Sequence, residues 1–520
     1  MQHFPALPHA AAPAMLSALA LALTLAGCAE PGSPAAKAPT TPRSAAQDAR
    51  WLDRLSWGAS ATDLALVRRQ GREAWLEQQL RPGTGQLPPA AQAQVAALGL
   101  DQQDLATQVR ALEAQRKAAD AQTDDATKQA AQQAYQQAMT RLAKQAAARS
   151  LLDALYSPQQ LREQMTWFWF NHFNVHQYKA NLRAMVGDYE QGLREHALGR
   201  FRDLLGFTAH HPAMLRYLDN EQNAANRINE NYARELMELH TLGVNGGYSQ
   251  HDVQELARVL TGLGVNLGDT PPRLKPAQQA LYRSWGLAEF NPARHDFGDK
   301  QLLGQTIKGH GAAEIDQVLD LLARQPATAR HVCRQIAQYL VADEPPPALV
   351  ERMAQRWLAS DGDIAAVLRT LIGSPEFEAS LGRKFKDPMH YVVSSVRLAY
   401  ADRVVLNTAP MQGWLYRLGQ APYNRQTPDG YPLDEAAWAG PGQMTTRFEI
   451  ARAIGSGSAG LFRVDGEKQD RPAFPQLANP LYYDGIAPRL AAATQHTLAQ
   501  ASSPQEWNTY LLASPDFMYR

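Results

Sequence analysis

Apolar residues recur three or four positions apart through most of the chain, and no segment of any length alternates apolar and polar residues. The first spacing places apolar side chains on one face of a helix, whereas alternation is what a half-buried strand requires. We therefore expect an all-α fold, a multi-helical bundle with long ordered loops. Residues 49–520 carry this pattern and are expected to form the folded body.

The stretch over residues 229–244, N-E-N-Y-A-R-E-L-M-E-L-H-T-L-G-V, is the most polar of the predicted helices. Asn229 is a good N-cap for it. At 100° per residue, Glu235 and Glu238 share one face, while His240 lies on another. The two carboxylates can therefore point at one target.

Four ionisable side chains in this helix lie within seven residues, more than a helix that only fills a core needs: Arg234, Glu235, Glu238 and His240. One interpretation makes them catalytic groups of a polar centre. In the other, Arg234 pairs with Glu238 on a solvated face and His240 is a hydrogen-bonded core residue. Spacing alone leaves both open.

A second helix is expected to begin at Ser157, which is followed by Pro and Gln. Helical spacing places these residues on one apolar face: Leu161, Met165, Phe168, Trp169, His172 and His176. Two histidines four positions apart can hold one metal ion or place a general base beside its partner. They can equally be core histidines bonded to backbone carbonyls. His172 and His176 are thus candidate metal ligands, together with Glu235 and Glu238.

Residues 101–150 are rich in Ala and Gln and have few apolar positions. High helix propensity with a narrow apolar stripe predicts one long helix, or a helical hairpin that turns near residues 123–125. This insert is expected to be architectural. Further along, Ser249 and Asp252 predict the cap of another helix.

Two loops carry further candidates. His295 and Asp296 are adjacent in a loop before a helix expected to start at Leu302, where they are either catalytic groups or caps. Thr408 to Gly442 is dense in Gly, Pro, Trp and Tyr. Because such a length is unusual for a structureless loop, we expect an ordered lid or pocket wall whose aromatic rings can stack on a sugar or a peptide.

Residues 1–28 predict a lipoprotein signal peptide. The apolar run Ala14–Ala26 is too short to span a bilayer, and Leu-Ala-Gly-Cys28 resembles a lipobox, so Cys28 is expected to be lipidated. No Lys or Arg precedes the run, so a leader without lipid remains the alternative. Ala29 favours sorting to the outer membrane, and the Pro, Ala, Ser and Thr of residues 29–48 predict a flexible tether.

Composition narrows the classes of function. With 45% hydrophobic residues and 20% charged residues, the chain can bury a large core. Lys plus Arg and Asp plus Glu number 51 each, so no global field attracts nucleic acid. Besides Cys28 the chain holds only Cys333, which excludes an intrachain disulfide framework and a Cys-based metal cluster.

Several motifs in order resemble the bacterial family called domain of unknown function 1800: F-W-F-N-H-F, Y-E-Q-G-L-R-E-H-A-L-G, H-P-A-M-L-R-Y-L-D-N, the stretch at residues 229–244 and G-G-Y-S-Q-H-D-V-Q-E-L-A-R-V-L-T-G. The resemblance covers essentially everything after the tether. The resemblance implies that the chain is a member of this family, but it does not imply which reaction, if any, the protein catalyses. Genes of this family often lie beside genes for proteins that resemble sulfatases and phosphatases, so the resemblance implies a sulfatase-like periplasmic partner.

Two classes of function follow. The first is a cell-envelope enzyme with a Glu and His centre in a helical bundle, with a divalent metal ion as candidate cofactor. A hydrolase or transferase that uses a Glu or His base without metal is equally consistent, since no Glu-x-x-His pair is present. The second is a non-catalytic scaffold or accessory protein for envelope polysaccharide or protein handling. Either one would lie on the periplasmic side of the envelope.

Overall fold

Ser44 caps the first helix of the body, where its side chain accepts the backbone N–H of Gln47 at 3.2 Å. A computed structural model describes residues 43–81, 83, 85–400, 403–463 and 474–520. The predicted signal peptide, its Cys28 and most of the predicted tether lie outside the described residues. The last residues assigned to the tether are helical, because α1 starts at Ala45.

Most of the described chain is helical, as predicted. The helices of the first half are α1 (Ala45–Leu55), α2 (Ala61–Gln70), α3 (Arg72–Leu80), α4 (Pro89–Ala97), α5 (Leu105–Asp120), α6 (Asp125–Tyr156), α7 (Gln160–His172), α8 (Val186–His196), α9 (Phe201–His210), α10 (Pro212–Tyr217), α11 (Asn231–Glu235) and α12 (Gln250–Val259). Those of the second half are α13 (Pro276–Gln279), α14 (Ala312–Ala323), α15 (Pro326–Leu340), α16 (Pro347–Ala359), α17 (Ile364–Ile372), α18 (Pro375–Ser380), α19 (Pro388–Tyr400), α20 (Ala409–Arg417), α21 (Pro441–Gly455), α22 (Ala492–Ala499) and α23 (Pro504–Ala513).

Shorter turns complete the helical part. Two are π-helical, Leu236–His240 and Tyr482–Ile486. The 3₁₀ turns are Leu100–Gln102, Leu182–Ala184, Asn220–Gln222, Glu435–Ala437, Ala487–Arg489 and Pro515–Met518.

Among the described residues, five short antiparallel strands are present that were not predicted. They are β1 (Leu263–Val265), β2 (Arg283–Trp285), β3 (Ala288–Phe290), β4 (Lys300–Leu302) and β5 (Gln305–Ile307). One sheet has the order β1-β3-β2, with Leu263 opposite Phe290, and β4 pairs with β5 in a separate hairpin. The prediction that a helix starts at Leu302 is therefore wrong, because Leu302 is the last residue of β4.

The insert forms the helical hairpin that its composition predicts. α5 and α6 are joined by a turn, and Asp124 caps α6 by accepting the backbone N–H of Thr127 at 2.8 Å. α7 begins at Gln160, slightly later than predicted, because Ser157 binds the backbone N–H of Gln159 instead of capping the helix.

Residues Ser44–Arg520 form one compact unit around one hydrophobic core. Its largest fully buried side chains include Trp57, Trp169 and Trp357. Within the described residues, no helix is long and apolar enough to cross a membrane. The bundle brings the end of α7, the π-helical turn after α11 and the start of α12 together, which places the candidate site.

Candidate functional site

The central helix changes its winding in the middle of the polar motif. α11 ends at Glu235, and residues 236–240 continue as a π-helical turn. Thr241 stabilises this turn because its hydroxyl donates to the backbone oxygen of Leu236 at 2.6 Å, five residues back. Single π-helical turns inside helices occur frequently at functional sites. The α-helical spacing of 100° per residue therefore describes the segment up to Glu235 but not the π-helical turn that follows.

Glu235 and Glu238 are both half-buried on this segment. Burial and the adjacent charge of Glu238 raise the pKa of Glu235 and outweigh the opposing charge of Arg234. Arg234 pairs instead with Glu230 at 3.0 Å and with Gln250, also at 3.0 Å. The predicted pairing of Arg234 with Glu238 is therefore wrong. In the part of the chain that the structure describes, no ion pair engages either glutamate of the pair.

The charges of the pair act on the pKa values of two tyrosines. Burial raises the pKa of Tyr217, and the charges of Asp429 and then Glu235 add to this. Burial also raises the pKa of Tyr248, and the charge of Glu238 and a hydrogen bond to it add to this. We call Glu235, Glu238 and these flanking groups the carboxylate site.

The loop over residues 421–431, which we call the wall, is bonded to Tyr217 of the carboxylate site. Tyr217 donates its hydroxyl to the backbone oxygen of Gln426 at 2.8 Å. Asn171 exchanges two hydrogen bonds with the backbone of Tyr431, at 3.0 and 2.6 Å. Because the loop backbone is bonded directly to α7 and α10, it is an ordered wall.

Asn174 adds two further hydrogen bonds, from its amide to the backbone oxygens of Arg425 at 3.0 Å and Thr427 at 2.8 Å. The roles of Asn171 and Asn174 were not predicted from the sequence. Both lie in or just after the F-W-F-N-H-F motif, where a polar amide amid aromatic residues was the available signal. Part of the segment expected to form an ordered lid or pocket wall is helical, because α20 lies within it.

His172 does not face the glutamates. Its Nε2 atom lies 3.0 Å from the backbone oxygen of His240, and its Nδ1 atom lies 2.6 Å from the side-chain amide of Gln335. Burial, followed by the nearby His331, lowers the pKa of His172 to about 4. A neutral ring with both nitrogens engaged acts as a brace rather than as a base.

His240 and His331 complete this brace around the π-helical turn. His331, on α15, donates from Nε2 to the backbone oxygen of Leu239 at 3.0 Å. The His240 ring is 1% exposed, and its Nε2 atom has no hydrogen-bond partner among the described residues. Burial and the two other histidines lower its pKa well below the usual range. Gly243 makes room for the brace, since a Cβ there would lie 2.7 Å from the His331 ring.

The four candidate metal ligands do not form one donor set. His172 is fully engaged elsewhere, and Glu235 and Glu238 remain as a pair. Over the described ranges, no three His, Cys, Asp or Glu side chains lie together in an arrangement that could hold a metal ion. What the geometry brings together is two carboxyl groups, two phenols and an ordered wall.

The sequence pattern of one protein family, described as protein of unknown function (DUF1800), matches residues 50–519. This chain belongs to that family. No curated protein and no solved structure matches it. Within this DUF1800 chain the matched range includes the whole carboxylate site and the brace.

His176 lies outside α7 of this DUF1800 protein, because the helix ends at His172. The interpretation that places His172 and His176 on one helical face is therefore wrong. The His176 ring packs edge-on against Tyr178 at 5.5 Å, and burial lowers its pKa while a hydrogen bond with Asn424 opposes this.

His295 and Asp296 form a separate structural network of the DUF1800 fold. The Nε2 atom of His295 lies 2.9 Å from Glu314, whose other oxygen accepts Lys300 at 2.5 Å. Asp296 pairs with Arg258 at 2.8 Å, which lowers the pKa of that carboxyl. Among the described residues, no ion pair joins this network to the carboxylate site. Its groups satisfy one another and stabilise the loop.

Proposed function

We propose that this DUF1800 protein is a lipid-anchored envelope enzyme that cleaves a glycosidic bond by general acid–base chemistry with Glu235 and Glu238. The observation that carries the proposal is a half-buried carboxyl pair without an ion-pair partner among the described residues, at the junction where α11 ends at Glu235 and the π-helical turn that carries Glu238 begins. Hydrolysis of glycosidic bonds characteristically uses two carboxyl groups in different protonation states.

The two groups take different roles because their environments differ. Burial and the charge of Glu238 raise the pKa of Glu235, which makes Glu235 the better suited of the two to give a proton to the oxygen of the leaving sugar. Glu238 accepts a proton from the attacking water. One C–O bond breaks and one forms, and the proton taken up by Glu238 returns through solvent to Glu235.

The surroundings suit a sugar polymer. The half-buried Tyr248 phenol, which is hydrogen-bonded to Glu238, supplies a hydroxyl group that can hydrogen-bond a saccharide. The wall at residues 421–431 is fixed to the body by amide hydrogen bonds, so the site is shaped before substrate binds. The sulfatase-like neighbour implied by the family is a proposed partner that would act on the same envelope polymer.

The test is release of reducing ends from purified envelope polysaccharides by the full-length protein in detergent. Glu235→Gln and Glu238→Gln should each lower the rate by about 10²–10⁴-fold, the usual contribution of one acid or base. Glu230→Gln is the matched control, because Glu230 pairs with Arg234 on the same segment and is outside the proposed chemistry. If the two glutamine variants retain the wild-type rate, the enzyme proposal is wrong.

A scaffold gives a different result. In that case neither variant changes any hydrolytic rate, and membranes from cells that carry Glu235→Gln recover the sulfatase-like partner as well as wild-type membranes do. Loss of reducing-end release with unchanged recovery of the partner supports the enzyme.

A further inference from the structure

A second cleft lies on the body where the starts of α5 and α8, the α9–α10 junction and the β2–β3 hairpin meet. Its volume is about 560 Å³. Nothing proposed for Glu235 or Glu238 uses it, since neither glutamate lines it. Its lining combines an exposed aromatic ring with fixed carboxylates.

Trp285 provides the aromatic ring. It is 43% exposed at the end of β2, all three residues of which are exposed. Its ring packs edge-to-face on His210 at 5.0 Å, and a Cβ on the next residue, Gly286, would meet open space. An exposed tryptophan supported from one side does little for the core and leaves ring surface available to a ligand.

Asp188 provides a fixed acceptor. The His211 Nδ1 atom accepts the backbone N–H of Ala213 at 3.1 Å, so the ring proton is on Nε2. Nε2 donates to Asp188 at 3.0 Å. His211 is 5% exposed, whereas the Asp188 side chain is 52% exposed. A buried imidazole thus holds an accessible carboxylate in one orientation, which lowers the entropy cost of binding.

The charge of the lining selects the ligand. Asp104, Asp188 and Asp316 line the cleft, and none of the lysines and arginines that the structure describes lines it. Both Asp104 oxygens accept from Thr107, and Asp316 pairs with Arg202 at 2.9 Å from outside the lining. Asp188 is therefore the acceptor best placed for a ligand, and anionic ligands are disfavoured.

We propose that this cleft binds a non-anionic oligosaccharide, with one sugar ring stacked on Trp285 and a hydroxyl or ammonium group donating to Asp188. Stacking on an aromatic face suits the apolar face of a sugar ring, and a carboxylate suits sugar hydroxyl groups or the ammonium of an amino sugar. The cleft would hold the polymer apart from the site of chemistry.

Isothermal titration calorimetry on the full-length protein in detergent tests this with three tetrasaccharides: N-acetylglucosamine tetramer, glucosamine tetramer and galacturonic acid tetramer. We expect the first two to bind and the anionic one to bind at least tenfold more weakly. Trp285→Ala and Asp188→Asn should each weaken binding tenfold or more. Tyr416→Ala, which removes a 70% exposed aromatic ring from α20, should leave the affinity unchanged.

Three results would overturn the proposal: no binding of either non-anionic tetramer, equal binding of the galacturonic acid tetramer, or unchanged affinity in Trp285→Ala. Thermal melting confirms that each variant is folded, and Asp188→Asn replaces Trp285→Ala if the latter does not fold. Binding by Glu235→Gln should equal that of wild type. This keeps failure of the cleft proposal distinct from failure of the carboxylate site.

Discussion

The Nε2 atom of His172 lies 3.0 Å from the backbone oxygen of His240. This bond joins the last residue of α7 to the last residue of the π-helical turn, and both side chains are buried. It accounts for a histidine on an apolar helix face without a catalytic role. It also fixes the π-helical turn that carries Glu238 of the carboxylate site.

The brace predicts a specific acid sensitivity. Burial and His331 lower the pKa of His172 to about 4 in the folded protein, against about 6.5 in an unfolded chain. The folded state then binds fewer protons than the unfolded chain. The contribution of neutral His172 to stability is therefore present above about pH 6.5 and is lost as the pH falls towards about 4. When the pH is lowered from 7 to 5, protonation of His172 should lower the unfolding free energy by about 2 kcal/mol.

Urea unfolding at both pH values checks this. His172→Gln should lose less stability between pH 7 and pH 5 than wild type, by about that amount. His251→Gln, at an exposed position, should behave as wild type does. An unchanged pH dependence in His172→Gln would contradict the prediction.

The sequence could predict those elements whose signals are local. Ser249 and Asp252 form the expected reciprocal cap of α12, and the turn before Asp125 separates the two helices of the insert. Both depend on side chains that bond backbone groups within three residues. The three-residue strands were missed because so few positions cannot show alternation.

The carboxylate site was predictable only in part. Glu235 and Glu238 influence each other electrostatically, but the π-helical turn that carries Glu238 depends on contacts distant in sequence. His331 bonds the backbone of Leu239 from 92 residues away. The spacing of apolar and polar residues within one helix cannot predict a contact with a residue so distant in sequence. The pairing of His172 with His176 failed for a similar reason, since α7 stops where Asn174 is needed to hold the wall.

Two glutamates should respond oppositely to the same substitution. The pKa of Glu235 is raised by burial and by Glu238, so its ionisation destabilises the folded state, and stability is lost as the pH rises through the native pKa. Glu235→Gln should therefore leave unfolding free energy at pH 7 unchanged or higher. Glu314→Gln should lower it by about 3–5 kcal/mol, because Lys300 would remain buried without its counter-charge.

Urea unfolding of both variants beside wild type is the measurement. Glu314 is the matched reference, as a carboxylate bonded to both His295 and Lys300. If Glu235→Gln is as destabilised as Glu314→Gln, then Glu235 belongs to a structural network. That result would contradict the proposal that the carboxylate site is catalytic.

We predict that membrane attachment depends on one of the two cysteines. Cys28→Ser should abolish metabolic labelling with a palmitate analogue and release the protein from membranes, because Cys28 is the cysteine of the lipobox-like sequence. Cys333→Ala is the control and should keep the label, since Cys333 is buried in α15. Ala29→Asp should move the protein from outer-membrane to inner-membrane fractions on a sucrose gradient. Labelling that persists in Cys28→Ser would contradict lipidation at Cys28.

The ordered wall depends on one glycine. Gly430 has a φ of +74°, and a Cβ there would lie 2.2 Å from the backbone oxygen of Asn171. Gly430→Ala should cost about 2–4 kcal/mol, the sum of about 1 kcal/mol for the left-handed backbone and about 1–3 kcal/mol for overpacking. Gly419 is the matched control, with a φ of +75° and no atom within 4 Å of its added Cβ, so Gly419→Ala should cost only about 1 kcal/mol.

The difference between these alanine variants isolates the contact between the wall and α7. If the wall shapes the carboxylate site, Gly430→Ala should also reduce reducing-end release by a larger factor than its loss of folded protein explains, whereas Gly419→Ala should not. Rates normalised to the folded fraction, measured by circular dichroism at the assay temperature, decide this. Equal normalised rates in the two variants would mean that the loop lies beside the carboxylate site without shaping it, since displacing its contact with Asn171 would then leave the positions of Glu235 and Glu238 unchanged.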